Sequence, residues 1–231
     1  MRTLQELTLL SIVIPSLNAA GTLDQTLAAL SLSALVGELI VADGGSTDMT
    51  VDVAKTGGAR VVLAPRGRGP QLATGAAAAS GDWLLFMHAD CRLEPGWDMA
   101  VSAFLAAPTA AARAGYFDLA LDDVAPAARR VERIVAWRCR RLALPYGDQG
   151  LLIARSLYEE VGGFAPWPLM EDVDLVRRLG RSRLAPIGAR CLASAQRYRR
   201  DGYLRRPLRN LLCLGLYFAG VPPARIVRLY G

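Results

Sequence analysis

The stretch Trp83-Leu84-Leu85-Phe86-Met87-His88-Ala89-Asp90 decides the fold. An apolar run of strand length stops abruptly at an imidazole and a carboxylate two residues apart, and His88 is the only histidine of the chain. A continuously apolar strand predicts a sheet covered on both faces. The two polar side chains at its exit predict a divalent cation facing a cleft, where a diphosphate would bind. The alternative is a strand end capped by polar residues.

Three earlier segments have the same apolar character, and helical patterns separate them. The predicted strands are Leu9–Ile14, Glu38–Ala42, Arg60–Ala64 and Trp83–Met87. The predicted helices cover 22–35, where Thr22 and Gln25 resemble a capping box, then 46–57, where the oxygens of Ser46, Thr47 and Asp48 offer caps, and 71–79. This alternation predicts an α/β fold with a mainly parallel central sheet flanked by helices.

The second half of the chain is less regular but still alternates. We expect a strand at 114–121 with alternate residues pointing outward, an arginine-rich helix at 127–142, a strand at 151–154, a helix at 156–161 and a helix from Glu171. A basic helical segment follows from 199 to 221. No composition break separates these parts, so we predict a single domain over 1–231, with sections at about 9–110, 111–198 and 199–231.

Composition narrows the function classes. The chain has 231 residues, a formal net charge of +6 and 52% hydrophobic residues, which favours a real core and anionic ligands or surfaces. Four scattered cysteines and one histidine make a structural zinc site improbable. We interpret the arginine runs at 129–141 and 197–209 as mostly solvated helix faces. Residues 1–6 do not resemble a secretory signal and no apolar segment reaches spanning length, so we expect a cytoplasmic protein. We expect no nucleic-acid partner.

Polar or glycine-rich sequence follows each of the four strands. The exits are 15–18, 43–46, 65–69 and 88–90. Ligands of parallel α/β sheets bind at the carboxyl ends of the strands, so the four exits predict one cleft. Asp43 could hold a nucleobase or ribose, or with Gly44 could form a turn. Arg66 and Arg68, separated by glycine, could approach a diphosphate closely, or could belong to an exposed loop with incidental charge.

Two later motifs carry candidate chemistry. Glu171-Asp172 begins a helix, where acids complement the macrodipole, and Asp172 is also placed to act as a general base. The segment from Tyr146 to Gly150 could bind a hydroxylated acceptor or orient the metal region, or could form a tight turn. The sequence contains no P-loop, no complete dinucleotide fingerprint and no nucleophile elbow, so those enzyme classes are disfavoured.

Taken together, the motifs at 12–18, 41–48, 86–90 and 171–172 resemble those of the family-2 glycosyltransferases with the GT-A fold, a Rossmann-like nucleotide-diphospho-sugar transferase fold. Within that family the chain looks most like a short bacterial branch, the radical-SAM/selenodomain-associated or arsenosugar-biosynthesis type. The resemblance rests there on Arg66-Gly67-Arg68-Gly69, His88-Ala89-Asp90, the 146–150 segment and Gly162-Gly163-Phe164.

The resemblance implies a role for each motif. Residues 9–110 would bind the nucleotide sugar, 111–198 would form the acceptor side, and 199–231 would be a helical C-terminal segment. Asp172 would be the catalytic base with Glu171 beside it, and Asp90 with His88 would hold Mn²⁺ or Mg²⁺. The substrate-binding residues would be Pro15, Ser16, Asn18, Asp43, Gly44, Arg66, Arg68, Gln71, Gly147, Asp148 and Gln149. His88 replaces the aspartate that is commoner in the family, and imidazole suits manganese better than magnesium.

We therefore expect an inverting transferase that moves a sugar from a nucleotide-diphosphate donor to an unknown acceptor, either a small molecule or a lipid-linked one. A nucleotidyltransferase is the second hypothesis, although residues 16–35 contain no lysine or arginine for its glycine-rich loop. A non-catalytic nucleotide-sugar binder or membrane-surface scaffold is the third. The basic C-terminal segment fits either a homodimer contact or peripheral association with the inner face of the cell membrane.

Overall fold

A computed structural model describes residues 10–230, which form one eight-stranded sheet between helices. The strand order is β3-β2-β1-β4-β7-β6-β8-β5. The strands are β1 Leu10–Ser16, β2 Val36–Asp43, β3 Arg60–Leu63, β4 Trp83–Phe86, β5 Cys91–Leu93, β6 Ala114–Leu121, β7 Leu151–Ala154 and β8 Leu184–Ala193. The predicted strand start at Leu9 and the predictions made for residues 1–6 lie outside the described residues.

Helices connect the strands and form the end of the described chain. They are α1 Ala20–Ser31, α2 Thr50–Thr56, α3 Arg68–Ala78, α4 Trp97–Leu105, α5 Pro126–Leu142, α6 Arg155–Glu160, α7 Glu171–Leu179, α8 Gln196–Asp201, α9 Arg205–Phe218 and α10 Pro223–Tyr230. Among the helices of residues 10–230, none combines the length and apolar character that crossing a bilayer requires.

The sheet is mainly parallel, as the sequence predicts. Strands β1 to β4 run parallel to one another, and β6 runs parallel to β8. Strands β5 and β7 run against their neighbours. Because β7 is antiparallel to β4, Leu151 at its start lies opposite Phe86 at the end of β4. The turn before β7 therefore reaches the same sheet edge as the exits of β1, β2 and β4.

Strand β6 differs from its prediction. Seven of its eight residues are buried and only Asp118 is exposed, so the expected alternation of exposed side chains is wrong. The strand lies inside the sheet between β7 and β8, and α5 packs on it. Apart from Asp118, the strand therefore consists of buried residues, as is typical of a strand covered on both faces, and Phe117 is among the largest fully buried side chains.

Helix α1 begins at Ala20 rather than with a capping box at Thr22. Its first N–H groups are satisfied from the next loop, because Ala19 N donates to Thr50 Oγ1 at 2.7 Å and Ala20 N donates to Asp48 Oδ2 at 3.2 Å. The other oxygen of Asp48 accepts a hydrogen bond from Thr50 N at 3.0 Å, at the start of α2. A single carboxylate therefore serves two helix starts, which ties the β1 and β2 exits together.

The predicted basic helix from 199 to 221 is instead divided between α8 and α9, and α10 follows as a third helix. Helix α8 ends at Gly202, whose φ of +90° is in the left-handed region that favours glycine. Pro222 and Pro223 separate α9 from α10, because proline starts a helix readily but interrupts one. The turns fold α10 back against α9.

Candidate functional site

Two adjoining cavities lie at the carboxyl edge of the parallel strands. The larger has a volume of about 780 Å³, and the smaller has a volume of about 90 Å³. Arg68, His88 and Asp90 line both of them. These predicted diphosphate and metal residues therefore form the boundary between two compartments, one of which is large enough for a nucleotide sugar.

Most of the predicted substrate residues reach one of these cavities. Besides Arg68, the larger is lined by Pro15, Ser16, Asn18, Arg66 and Gln71, and the smaller by Gly147, Asp148 and the predicted base Asp172. Asp90 and Asp172 thus face one cavity although they are far apart in the sequence.

Asp43 and Gly44 line neither of these cavities. The carboxylate of Asp43 accepts hydrogen bonds of 2.9 Å from two backbone N–H groups of its own turn, and only 3% of the residue is exposed. Asn18 Oδ1 accepts a 2.9 Å bond from Thr47 N, which fastens the β1 exit to the same turn. The turn-forming interpretation of Asp43 describes its contacts, and contact with a nucleobase or ribose stays a prediction.

Gln71 clamps the ends of β1 and β2. Its buried amide donates to the backbone carbonyls of Ser16 at 2.7 Å and Ala42 at 2.8 Å. A Cβ added at Gly44 would lie 3.0 Å from the amide carbon of Gln71, so the absence of a side chain at position 44 leaves space for the Gln71 amide. The NH₂ group of Gln71 therefore shapes the floor of the larger cavity through the backbone, and a contact of this side chain with a substrate stays a prediction.

Arg68 begins α3, whereas the sequence predicts a loop there and a helix start at Gln71. A Cβ at Gly69 would collide with the carbonyl oxygen of Ala165, so this glycine lets α3 pack against the 165–167 loop. Arg66 is exposed. The guanidinium of Arg68 is placed by a helix rather than by a flexible loop.

The charge of Arg68 is secured by its surroundings. Burial alone would lower the pKa of Arg68, but the neighbouring acidic groups, first among them Glu171, outweigh burial and raise it. Within residues 10–230 the guanidinium makes no ion pair shorter than 4 Å, although Tyr230 lies beneath it with its ring centroid 6.0 Å away. A cation held by distant carboxylates at a cavity wall is suited to an incoming diphosphate.

His88 and Asp90 fit a divalent cation. The ligand atoms of His88, Asp90 and Cys91 lie within 4.8 Å of one another, and Nε2 of His88 is buried without a hydrogen-bond partner in the described part of the chain. Burial, and then the charge of Arg68, lowers the pKa of His88 to about 4, so the imidazole is neutral and able to ligate near pH 7. The sequence did not indicate Cys91. Its thiol is buried, and its contact with Cys191 followed by burial raises its pKa, which disfavours a thiolate ligand.

Asp172 lies at the first turn of α7, and its Oδ2 accepts a 2.7 Å hydrogen bond from Gly147 N. Glu171 is 1% exposed, and neither of its carboxylate oxygens has a hydrogen-bond partner among the described residues. Burial, and then the charge of Asp172, raises the pKa of Glu171 to about 8. The two adjacent acids therefore differ in environment. Asp172 faces the smaller cavity, whereas Glu171 is buried and largely protonated at neutral pH.

In the short 3₁₀ turn before β7, Asp148 lines the smaller cavity and Gln149 is buried inside the fold. Burial raises the pKa of Asp148, and its Oδ1 is unpartnered within residues 10–230. Gln149 is 1% exposed, donates to Phe117 O at 2.9 Å and accepts from Arg138 at 3.1 Å. The predicted substrate contact of Gln149 therefore lacks structural support, because its amide is consumed inside the fold.

Sequence reasoning missed the part of the site supplied by the C-terminal region. Arg197 lines both cavities, and Tyr198, Arg206, Asn210 and Tyr230 line the smaller one. The signal in the sequence is the arginine run at 197–209, for which the pattern predicts a mostly solvated helix face. Arg206 contradicts that interpretation most clearly: it is 2% exposed, and its guanidinium lies 4.4 Å from the Tyr230 ring centroid.

A mainly parallel sheet with a nucleotide-sized cleft at its carboxyl edge is the architecture of the GT-A glycosyltransferases. The chain belongs to glycosyl transferase family 2, whose sequence profile matches residues 11–161.

Two mycobacterial relatives share part of the sequence. The chain is 38% identical over 92 residues to glucosyl-3-phosphoglycerate synthase of Mycobacterium tuberculosis, a match covering 35% of this chain and 28% of that protein. It is 36% identical over 104 residues to a PGL/p-HBAD biosynthesis glycosyltransferase of Mycobacterium bovis, covering 41% of each. The matches therefore span less than half the length of these curated relatives.

Solved structures extend the likeness to most of the chain. The M. tuberculosis glucosyl-3-phosphoglycerate synthase in complex with Mn²⁺, UDP-glucose and glycerol 3-phosphate is 26% identical, with a TM-score of 0.59 over 78% of this chain and 70% of that chain. A complex of the same enzyme with Mn²⁺, UDP-glucose and phosphoglyceric acid has a TM-score of 0.63 over 93% and 81%. At 24% identity, the second likeness shows the fold alone.

Proposed function

We propose that this chain transfers a sugar from a nucleoside-diphosphate donor to a hydroxyl of an acceptor, with inversion at the anomeric carbon. The observation that carries the proposal is the arrangement of the two cavities. Arg68, His88 and Asp90 line both, while Asp172 lines only the smaller. The diphosphate leaving group would lie in the larger cavity, and the base would reach the sugar from the smaller one, with Arg68, His88 and Asp90 between them. This arrangement suits a single displacement.

The chain's own residues supply two parts of this chemistry. Asp172 removes the proton of the acceptor hydroxyl as its oxygen bonds to the anomeric carbon, and the bond from that carbon to the diphosphate oxygen breaks. Negative charge develops on the departing diphosphate, and the guanidinium of Arg68 stabilises it. A divalent cation held by Asp90 and His88 would neutralise the same charge.

Two backbone N–H groups hold the carboxylate of the proposed base in place. Gly147 N donates to Asp172 Oδ2 and Val173 N donates to Oδ1, each at 2.7 Å, and the remaining lone pairs can accept the acceptor proton. Glu171, largely protonated at neutral pH, limits the negative charge next to Asp172 and Arg68. Asp148, with an unpartnered oxygen in the same cavity, is placed to bind another acceptor hydroxyl.

Several finer assignments belong to the proposal. UDP-glucose in the M. tuberculosis complexes makes UDP-sugars the first donors to test, with Mn²⁺ as the first ion. The division into a donor part at 9–110, an acceptor part at 111–198 and a C-terminal part at 199–231 is retained. The proposal also keeps a cytoplasmic location. It keeps membership of the radical-SAM/arsenosugar branch, which rests on the quoted motifs alone. The acceptor is a small molecule or a lipid-linked one, and contact with a membrane or with a second copy concerns the C-terminal helices.

The test is a thermal-shift panel of UDP-, GDP- and dTDP-sugars with and without Mn²⁺, followed by measurement of donor turnover. We expect one nucleotide sugar to raise the melting temperature more with Mn²⁺ than without it, and to be turned over slowly to the nucleoside diphosphate. Asp90→Ala should lose the metal-dependent part of both signals. Asp24→Ala, which changes an exposed carboxylate on α1, is the matched control.

The same panel separates the alternatives. A nucleotidyltransferase would be stabilised by nucleoside triphosphates in preference to nucleotide sugars. A non-catalytic binder would be stabilised by a nucleotide sugar without turnover. Either result would overturn the proposed transfer.

A further inference from the structure

The outer face of α9 is an exposed apolar surface. Leu204, Leu208, Leu211 and Leu212 are 72%, 56%, 63% and 56% exposed. Their spacing of four, three and one residues places them on one side of a helix, and Phe218, 50% exposed, continues the row beyond Gly215. These five side chains are called the apolar stripe below.

The opposite face of α9 holds the helix to the protein. Arg206, Cys213 and Leu214 are buried there. The stripe is therefore an additional apolar face, not the one that forms the core. Its four leucines expose on the order of a few hundred Å², a size at which an apolar patch marks an interaction surface.

The charge around the stripe is mainly positive, and Asp201, the acidic residue just before it, already pairs with Arg206 at 3.3 Å and Arg209 at 3.6 Å. Residues 202–231 contain five arginines and no acidic residue or lysine. Arg205 and Arg209 follow the stripe along one side of α9, and Arg225 and Arg228 are exposed on α10 beside Leu229, which is 53% exposed. An apolar row with arginines at its border is complementary to an anionic surface that has an apolar interior.

We propose that α9 and α10 dock on an anionic lipid bilayer. The apolar stripe would lie where the headgroups meet the acyl chains, and the exposed arginines would contact lipid phosphates. Charge favours this occupant over a second copy of the chain. An isologous contact through the stripe would bring the exposed Arg205, Arg225 and Arg228 of both copies together. Residues 202–231 offer no carboxylate to neutralise them, and the neighbouring Asp201 is already paired with Arg206 and Arg209.

The docking helices also form part of the site. Arg206 and Asn210 of α9 and Tyr230 of α10 line the smaller cavity, and Val227 of α10 lines the larger one. The docking itself does not depend on the proposed transfer.

The test is flotation of the full chain with vesicles of phosphatidylcholine, alone or with about a third phosphatidylglycerol. We expect binding to the anionic vesicles, weakened by high salt. In the triple variant Leu208→Ser, Leu211→Ser, Leu212→Ser, the fraction of protein bound to vesicles should fall by about tenfold or more. The triple variant Arg205→Gln, Arg225→Gln, Arg228→Gln should lose the preference for phosphatidylglycerol.

Leu32→Ser is the matched control, because Leu32 is 90% exposed at the far end of α1. Thermal unfolding checks that each variant folds, and the exposed leucines predict little change. Flotation of the stripe variant equal to that of the unaltered chain would overturn the docking. So would a dimer in sedimentation velocity that the stripe variant abolishes, with no vesicle binding by either form.

Donor turnover in solution, without vesicles, separates this inference from the proposed function. We expect the stripe variant to turn over the donor as the unaltered chain does. Flotation without any donor turnover would contradict the proposed transfer and leave the docking standing. Turnover without flotation would contradict the docking alone.

Discussion

Asp172 accepts a 2.7 Å hydrogen bond from the backbone N–H of Gly147, across 25 residues of sequence. The contact joins the start of α7 to the turn before β7. A Cβ at Gly147 would lie 2.5 Å from His88 Nε2 and 3.5 Å from Asp172 Oδ2. The absence of a side chain at position 147 thus allows the proposed base and a proposed metal ligand to approach the same turn.

Asp172→Asn should separate binding from transfer. An amide keeps an oxygen for Gly147 N but cannot accept the acceptor's proton, so we expect turnover to fall by about 10²- to 10⁴-fold. Donor affinity with Mn²⁺, measured by calorimetry, should stay close to that of the unaltered chain. Asp174→Asn is the control in the same helical turn, where the carboxylate pairs with Arg178. An equal loss of affinity and turnover would assign Asp172 to binding instead.

His88→Asp should change the preferred metal. Imidazole favours manganese and later transition ions, whereas a carboxylate oxygen suits magnesium, so the ratio of Mn²⁺- to Mg²⁺-supported turnover should fall in the variant. The measurement is turnover of one donor over a concentration series of each ion. Donor affinity without metal serves as the control. Superimposable ion profiles for the two proteins would count against ligation by His88.

Glu171→Gln should alter the dependence of stability on pH. The pKa of Glu171 is raised from 4.5 to about 8 in the folded chain, so the folded state binds this proton more tightly than the unfolded state. The free energy of unfolding therefore declines as pH rises from about 4.5 to about 8 and then levels off. Glutamine does not ionise, so the variant should lack this decline.

Chemical unfolding of the metal-free protein near pH 5 and near pH 9 measures the effect. We expect similar stabilities at the lower pH. At the higher pH the variant should be more stable by an amount on the order of a few kcal/mol, from about 1.4 kcal/mol per pKa unit. Parallel pH profiles for the two proteins would show that Glu171 is not buried with a raised pKa.

Gly69→Ala should destabilise the fold by about 1–3 kcal/mol, because the new methyl group would collide with the backbone of the 165–167 loop. Urea unfolding measures the change. Gly21→Ala in α1 is the matched control, since a Cβ there meets nothing within 4 Å, and its stability should hold or rise slightly. Equal stabilities of the two variants would contradict the close packing of α3 on that loop.

The sequence predicts the first half of the fold well, because its signals are local. Each of β1 to β4 is an apolar run that ends at polar or glycine-rich residues, and the exits at Ser16, Arg68 and Asp90 do reach common cavities. Two other strands are harder to predict, and only one of them, β5, lies at an edge of the sheet. Strand β5 has three residues, and β8 contains Pro186 and Gly188, so neither shows the continuous apolar character of a buried strand.

The sequence by itself determined the class of fold and the identity of the central charged residues, since apolar strand runs and the chemistry at their ends are written in consecutive residues. Tertiary structure alone decided which polar side chains remain available. It consumed Gln149 and Gln71 in backbone hydrogen bonds, raised the pKa of Glu171 by burial, and brought Arg206 and Tyr230 to the cavity wall. Burial and partnership depend on contacts between distant segments, which no local pattern specifies.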